Sequence, residues 1–192
     1  MNIANRITMF RIILAFVFIF LIFSSGLWAK AGALIVFIVA AISDFLDGYI
    51  AHKRNLVTDF GKIMDPIADK VLVLSAFTCF VQMQLIESWM FVVIILRELL
   101  ITSLRLFALS KGHVVAASKA GKHKTVSQLA VIIFILIFIV AKEAMLEYAT
   151  WNPAWEKFFL NSIFVMMLVT VGFTLFSGFS YLWENRKMIS RN

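Results

Sequence analysis

The sequence is poor in cysteine, histidine and proline. Its 192 residues include one cysteine, three histidines and two prolines. A single cysteine excludes an intrachain disulfide, and no histidine or cysteine is placed to join His113 and His123 in a zinc site. Charged residues are also scarce, at 15%, compared with about 25% in soluble domains. With no internal repeat or low-complexity tract, we predict a single domain over residues 1–192.

Apolar residues dominate what remains. Hydrophobic residues make up 62% of the chain and the mean hydropathy is +0.94, more than a water-soluble domain of this length needs. Six apolar segments can be identified, each near the ~20 residues that cross a bilayer as a helix. They span residues 8–25, 30–52, 65–85, 88–109, 125–142 and 158–182. The predicted fold is therefore all-α, an integral membrane bundle of six transmembrane helices.

The distribution of positive charge predicts the orientation. The net charge of +7 does not indicate a nucleic-acid partner, because the basic residues lie between apolar segments. The connections between segments 1 and 2, 3 and 4, and 5 and 6 contain only Lys30, Lys142 and Lys157 as basic residues. All other lysines and arginines lie at the termini, in the other two connections or near that side. The positive-inside rule then predicts a multi-pass protein of the cell membrane with both termini in the cytoplasm.

Four aspartates fall in the polar stretch around the second connection. At helical spacing, residues i, i+3, i+4 and i+7 share one face. One stripe consists of Asp44, Asp47, Gly48 and Ala51, and the next consists of Gly61, Asp65 and Asp69. Four carboxylates close together repel one another unless cations lie between them, and carboxylate oxygens suit Mg²⁺ or Mn²⁺. The sequence thus predicts a polar cavity open to the cytoplasmic side.

A structural ion-pair cluster is the alternative for these aspartates. Lys62, Lys70 or Arg54 would then neutralise them. A charged residue inside a membrane span costs at least about 2.5–3.5 kcal/mol at the helix centre. Four such residues on two stripes, each stripe with a glycine, favour a functional site.

The spacing of the two stripes resembles the signature of the CDP-alcohol phosphatidyltransferase family. That signature reads D-x-x-D-G-x-x-A-R, then G-x-x-x-D-x-x-x-D, and this chain differs where His52 replaces the arginine. Histidine titrates near neutrality and lacks the two-pronged donor geometry of arginine. The resemblance implies a six-helix membrane enzyme, usually a homodimer, that cleaves the pyrophosphate of a CDP-linked lipid with release of CMP.

The resemblance also implies the roles of individual residues. Asp44, Asp47 and Asp65 would hold two divalent cations, with Asp69 near the second cation and acting as general base. The CDP-lipid would contact Gly48, Ala51, His52, Thr58 and Gly61, together with Asn5 and Thr8 of an Asn5-x-x-Thr8-x-x-Arg11 pattern seen in bacterial members. A simple headgroup anchor is the alternative for this amino-terminal pattern.

A second polar set interrupts segments 4 and 5. The run from Arg97-Glu98 to Arg105 and the run Gly121-Lys122-His123-Lys124-Thr125 look like the branch of the family whose acceptor is sn-glycerol 3-phosphate. The acceptor phosphate would contact Arg97, Arg105, Lys122 and Lys124, since cations bind a dianion. The substrates implied are CDP-diacylglycerol and sn-glycerol 3-phosphate.

Other functions stay open at this stage. Within the family the acceptor could be phosphatidylglycerol or an inositol phosphate. The basic residues Arg97, Arg105, Lys122 and Lys124 favour a phosphorylated acceptor and argue against serine. An intramembrane prenyltransferase would normally carry two related aspartate clusters. A cation transporter would need acidic residues along the whole path across the bilayer, and only Glu98 offers one beyond the aspartate stripes.

Overall fold

Over the residues that it describes, the computed structural model consists of six α-helices. It describes the backbone of residues 3–54, 59–110, 119–184 and 186, and the side chains of residues 9–43, 70–108, 123–184 and 186. The helices are α1 (Ile3–Phe23), α2 (Leu27–Arg54), α3 (Asp59–Gln82), α4 (Ser88–Ser110), α5 (Lys119–Tyr148) and α6 (Pro153–Glu184). Within these described residues there is no strand, which confirms the all-α prediction.

Each predicted apolar segment coincides with one helix, but the helices are mostly longer than the segments. Helix α5 begins at Lys119 and ends at Tyr148, whereas the apolar segment covers residues 125–142. Backbone hydrogen bonds continue through polar turns as readily as through apolar ones. Hydropathy therefore marks the apolar part of a helix, and it misses the polar ends that carry much of the chemistry.

The six helices pack in a closed ring. Going around it, α1 contacts α2, α2 contacts α5, α5 contacts α6, α6 contacts α4, α4 contacts α3, and α3 returns to α1. Helix α3 also contacts α5 and α2 across the ring. Helices distant in sequence, such as α2 and α5, are thus neighbours in space.

The two halves of the bundle differ in their interior. The half near the α1–α2, α3–α4 and α5–α6 connections is filled by an apolar core, where the Phe18 and Phe37 rings lie 5.7 Å apart and the Phe138 and Phe159 rings 5.2 Å apart. Among the residues with described side chains, the buried polar ones lie in the other half. These are Arg11, Glu98, Lys124, Gln128, Thr170, Thr174 and Ser177. Apolar packing stabilises one half and leaves the other half for polar groups.

The outer surface of the bundle is apolar. Large side chains such as Phe16, Phe20, Phe176 and Phe179 are exposed, which in water would form an unfavourable surface. Among the residues with described side chains, His123–Tyr148 and Pro153–Glu184 are long and apolar enough to cross a membrane, and Met9–Phe23, Leu27–Ser43 and Lys70–Gln82 are shorter apolar stretches.

Local interactions define the helix ends on the apolar side. Helix α3 ends in a Schellman motif: Gln84 has a φ of 58°, and the Leu85 amide donates to the Phe80 carbonyl at 2.9 Å. Pro153 opens α6, where the Asn152 side-chain oxygen accepts from the Ala154 amide at 2.9 Å.

An ion pair joins α5 to the start of α6 on this same side. Lys142 Nζ donates to Glu156 Oε1 at 2.5 Å, and Trp151 Nε1 donates to Glu156 Oε2 at 3.1 Å. These contacts tie the last turns of α5 to the first turn of α6.

Candidate active site

The aspartate stripes lie on two consecutive helices that contact each other. Asp44 and Asp47 are on α2, and Asp65 and Asp69 are on α3. Only residues 55–58 separate the two helices, so α3 must return beside the end of α2. The helical register predicted for the two stripes is compatible with this backbone.

The structure describes the backbone, and not the side chains, of most residues predicted to bind the metal and the nucleotide. These are Asn5 and Thr8 on α1, Asp44, Asp47, Gly48, Ala51 and His52 on α2, Gly61, Asp65 and Asp69 on α3, and Lys122 on α5. Thr58 lies outside the described residues altogether. Their roles remain predictions.

Among the described side chains, the Glu98 carboxylate near the middle of α4 is the centre of a polar cluster. Lys124 Nζ, on α5, donates to its Oε1 atom, and Lys70 Nζ, on α3, lies 3.2 Å from its Oε2 atom. Arg97 Nη1 also donates to Oε1, at 3.3 Å. One glutamate therefore joins three cations from three helices. We call Lys70, Arg97, Glu98 and Lys124 the Glu98 cluster.

Helix α6 closes the cluster around Arg97. Arg97 Nη2 donates to Ser177 Oγ at 2.7 Å. Gly178 lies beside the aliphatic part of the same arginine, and a Cβ atom placed on it would be 3.3 Å from Arg97 Cγ. The glycine thus lets the arginine run close along α6 to reach its hydroxyl partner.

The burial of these charges is energetically demanding. The Glu98 and Lys124 side chains are each only 3% exposed. A buried charge is tolerated when opposite charges and hydrogen bonds surround it, and losing one partner typically costs 3–5 kcal/mol. The Glu98 cluster meets this condition for the carboxylate, because Lys70, Arg97 and Lys124 all lie within ion-pair distance of it.

Two of the four predicted acceptor-binding cations meet in this cluster. Arg97 and Lys124 come from different helices and share one Glu98 oxygen. Arg105 lies about two turns further along α4 and its side chain is exposed. The structure thus brings Arg97 and Lys124 together and does not bring Arg105 into the Glu98 cluster.

Buried donors extend the polar surface around this cluster. Arg97 Nε and Gln128 Nε2 are both buried, and neither has a hydrogen-bond partner within the part of the chain that the structure describes. Gln128 follows Lys124 by one turn on α5, so the two residues share a face of the helix. Each of these N–H groups can donate to an oxyanion.

Sequence reasoning missed four residues here. It assigned no role to Ser177 or Gly178, considered Glu98 only for the cation-transporter alternative, and considered Lys70 only as an aspartate partner. The signal was present for Glu98, since an acidic residue inside an apolar helix requires buried partners. No comparable signal identified Ser177 or Gly178, whose roles depend on how α6 packs against α4.

The close packing of Gly178 against Arg97 leads to a first prediction. Gly178→Val should displace Arg97 and lower the free energy of unfolding by about 1–3 kcal/mol, the usual cost of overpacking. Thermal unfolding of purified protein in detergent would measure this. The matched control is Gly172→Val on the same helix, since an added Cβ there has no neighbour within 4 Å. Equal effects of the two substitutions would contradict the prediction.

Comparison with known proteins identifies related sequences over nearly the whole chain. A family model described as CDP-alcohol phosphatidyltransferase matches residues 1–176. A Bacillus subtilis protein named CDP-diacylglycerol–glycerol-3-phosphate 3-phosphatidyltransferase is 38% identical, and the match covers 96% of this chain and 95% of that protein. Proteins of the same name from Escherichia coli K12 and Treponema pallidum are 32% and 31% identical, covering 94% and 82% of this chain and 93% and 71% of those proteins.

Proposed function

Since this chain belongs to the CDP-alcohol phosphatidyltransferase family, we propose that it transfers the phosphatidyl group of CDP-diacylglycerol to sn-glycerol 3-phosphate. The products are phosphatidylglycerophosphate and CMP. The observation that carries this proposal is the family signature itself, whose two halves lie on the contacting helices α2 and α3. The curated relatives that bear this activity in their names support the choice of acceptor.

The aspartates of the two stripes are the residues that would hold divalent cations. Asp44, Asp47, Asp65 and Asp69 offer hard oxygen ligands, which fit Mg²⁺ or Mn²⁺. Helices α2 and α3 are joined by a short connection and touch each other, so the backbone allows both pairs to contribute to one site. When bound, two such cations stabilise the negative charge on the attacking and leaving oxygens.

The nucleotide end of the lipid lies along α1, α2 and α3 in this proposal. Small residues at Gly48, Ala51 and Gly61 leave room for the cytidine and ribose close to the helix backbones. Asn5, Thr8, His52 and Thr58 supply polar contacts to the nucleotide and its phosphates. The acyl chains stay in the bilayer beside the apolar outer surface.

Asp69 acts as the general base. Its carboxylate takes the proton of a glycerol 3-phosphate hydroxyl, and the resulting oxygen attacks the phosphorus that bears diacylglycerol. A new phosphorus–oxygen bond forms to the acceptor while the bond to the CMP oxygen breaks. CMP leaves with that oxygen, so the phosphatidyl group changes partner in one displacement.

The acceptor phosphate is bound by cations of α4 and α5. Arg97 and Lys124 already converge at Glu98, and Lys124 is buried there. Arg105 and Lys122 complete the predicted set. Hydrogen bonds between cations and phosphate are among the strongest in proteins. Lys70, another member of the Glu98 cluster, directly follows Asp69 on α3. The acceptor would thus lie next to the helix that carries the base.

The membrane arrangement follows from helix count, charge and tryptophan positions. We propose six spans with both termini and the aspartates facing the cytoplasm, and a homodimer as in the family. Four tryptophans lie near helix ends on the apolar side of the bundle and one lies near the end of α6 on the other side, as interfacial anchors do. They are Trp28, Trp89, Trp151, Trp155 and Trp183.

His52 provides a prediction about nucleotide binding. Replacing it by Arg restores the family residue, with a permanent charge and two parallel donors for phosphate. We expect His52→Arg to lower the KM for CDP-diacylglycerol, or leave it unchanged, with the KM for glycerol 3-phosphate unaffected. Steady-state kinetics on purified protein would measure both constants, with Lys53→Arg, the same side-chain type one position on, as the control. A sharp loss of activity in His52→Arg alone would show that histidine has its own role.

CMP release by the purified protein tests the proposed function. Reactions would contain CDP-diacylglycerol and Mg²⁺ in detergent, with glycerol 3-phosphate, an inositol phosphate, serine, phosphatidylglycerol or no acceptor. We expect CMP release only with glycerol 3-phosphate, and its loss on chelation of the metal. Release with another acceptor would change the acceptor and keep the aspartate chemistry. No release with any acceptor, by folded protein, would overturn the proposal.

A further inference from the structure

The Glu98 cluster brings several cationic and N–H donors to one place. One carboxylate faces three cations, Lys70, Arg97 and Lys124, each within ion-pair distance of it. The buried Arg97 Nε and, one turn from Lys124, Gln128 Nε2 have no hydrogen-bond partner within the part of the chain that the structure describes. Cations and N–H donors of this kind suit a phosphate, whose oxygens accept several charge-assisted hydrogen bonds.

Exposure indicates how an anion would reach the cluster. The Lys70 side chain is 30% exposed and Arg97 is 12% exposed, whereas Glu98 and Lys124 lie at 3%. The cluster is thus open on the side of Lys70, on α3, and closed towards α5. A phosphate arriving from the open side meets Lys70 and Arg97 before it reaches the buried Lys124.

Extending the proposed function, on which the identity of the ligand rests, we infer that Glu98 is a positioning residue for the acceptor. In the substrate-free protein its carboxylate holds Lys70, Arg97 and Lys124 together. It accepts hydrogen bonds from these cations, which the oxygens of a bound phosphate would also accept. When the phosphate binds, Glu98 shares these cations with it and keeps them in one arrangement. Glu98 itself binds no substrate and acts through the three cations.

The position of Lys70 explains why this arrangement matters for turnover. Lys70 follows Asp69 directly in α3, and its ammonium is tied to α4 through Glu98. The same carboxylate is tied to α5 through Lys124. Glu98 therefore sets the position of the helix that carries the base relative to the helices that carry the acceptor-binding cations. A misplacement of about 1 Å between reacting groups can cost about 100-fold in rate.

Glu98→Gln separates positioning from phosphate binding. The amide keeps the size of the side chain and removes the negative charge that competes with phosphate for the lysines. We expect the KM for glycerol 3-phosphate to be no higher than in the wild type, because the cations are freer to bind phosphate. We expect kcat to fall by about 10- to 100-fold, because the cations and α3 are no longer held in register. The KM for CDP-diacylglycerol should stay unchanged, which distinguishes the acceptor phosphate from the pyrophosphate of the lipid.

Thermal unfolding with inorganic phosphate provides a readout that does not depend on activity. Phosphate that binds only the folded protein raises its melting temperature. We expect this rise to be about 2–4 °C larger in Glu98→Gln than in the wild type, since the bound anion replaces the lost charge. The control is Glu156→Gln, which breaks the ion pair with Lys142 on the opposite side of the bundle. Its response to phosphate should equal that of the wild type.

A second variant keeps the test decisive if Glu98→Gln does not fold. Glu98→Asp retains the charge but is one methylene shorter, so its carboxylate lies further from Lys70 and Lys124 and holds them less closely. It should show the same changes in kcat and in the response to phosphate, but smaller ones.

Two results would overturn the inference. The first is a kcat like that of the wild type in a folded Glu98 variant. The second is a response to phosphate like that of the wild type. If the wild-type protein released no CMP with glycerol 3-phosphate, the proposed function would fail, and the phosphate response alone would decide the role of Glu98.

Discussion

Replacing Asp69 by Asn is expected to lower kcat by about 100- to 10,000-fold, the usual contribution of a general base. Asparagine has nearly the size and shape of aspartate, and its amide cannot take up the proton of the acceptor hydroxyl. Helix α3 continues on both sides of this position, and asparagine is tolerated in a helix at a modest cost. The fold should therefore survive while the chemistry stops.

CMP release with saturating substrates and Mg²⁺ would measure this loss, and thermal unfolding in detergent would verify the fold. The control is Glu147→Gln, the same change of acid to amide at an exposed position of α5. It should leave kcat unchanged. A near-wild-type kcat for Asp69→Asn would remove Asp69 from the role of base. An equal loss in the control would point to a general effect of charge.

The second large effect is expected at Lys124. Lys124→Met keeps the length of the side chain and removes the charge that would bind the acceptor phosphate. A hydrogen bond to a charged group contributes about 1.5–3 kcal/mol, so the KM for glycerol 3-phosphate should rise by about 10- to 100-fold. The Glu98 carboxylate keeps Lys70 and Arg97 as partners, so the variant should fold.

Steady-state kinetics with each substrate varied in turn would test this. The KM for CDP-diacylglycerol should remain that of the wild type. Lys142→Met is the matched control, because Lys142 is also on α5 and also ion-paired to a glutamate, but on the opposite side of the bundle. Equal increases of both KM values in Lys124→Met would argue against an acceptor site there. A raised KM for glycerol 3-phosphate in Lys124→Met, together with a lowered kcat and no rise of this KM in Glu98→Gln, distinguishes a binding residue from a positioning residue.

The helices could be predicted from sequence because an apolar run of this length is stable in a bilayer only as a helix. A backbone surrounded by lipid must satisfy its hydrogen bonds internally, which a helix does. Six apolar segments therefore predicted six helices. The ends were less predictable: helix α1 begins at Ile3 and α3 at Asp59, several residues before the apolar runs, because polar turns form helix equally well.

The aspartate stripes could also be predicted from sequence, since their residues are near neighbours along the chain. Asp44 and Asp47 share a helix face by spacing alone, as do Asp65 and Asp69. Nothing comparable links Glu98 to Lys124, which is 26 residues away. Arg97 and Ser177 are 80 residues apart, and no periodicity relates them.

The sequence by itself determined the helices, the family and the residues of the two stripes, because these depend on local hydropathy and on helical spacing. Only the tertiary structure decided which charges meet. The closed order of α1, α2, α5, α6, α4 and α3 places one glutamate between cations of α3, α4 and α5. It also brings a serine and a glycine of α6 against the arginine next to that glutamate. Long-range contacts of this kind follow from how whole helices pack, which the spacing of residues within one helix does not contain.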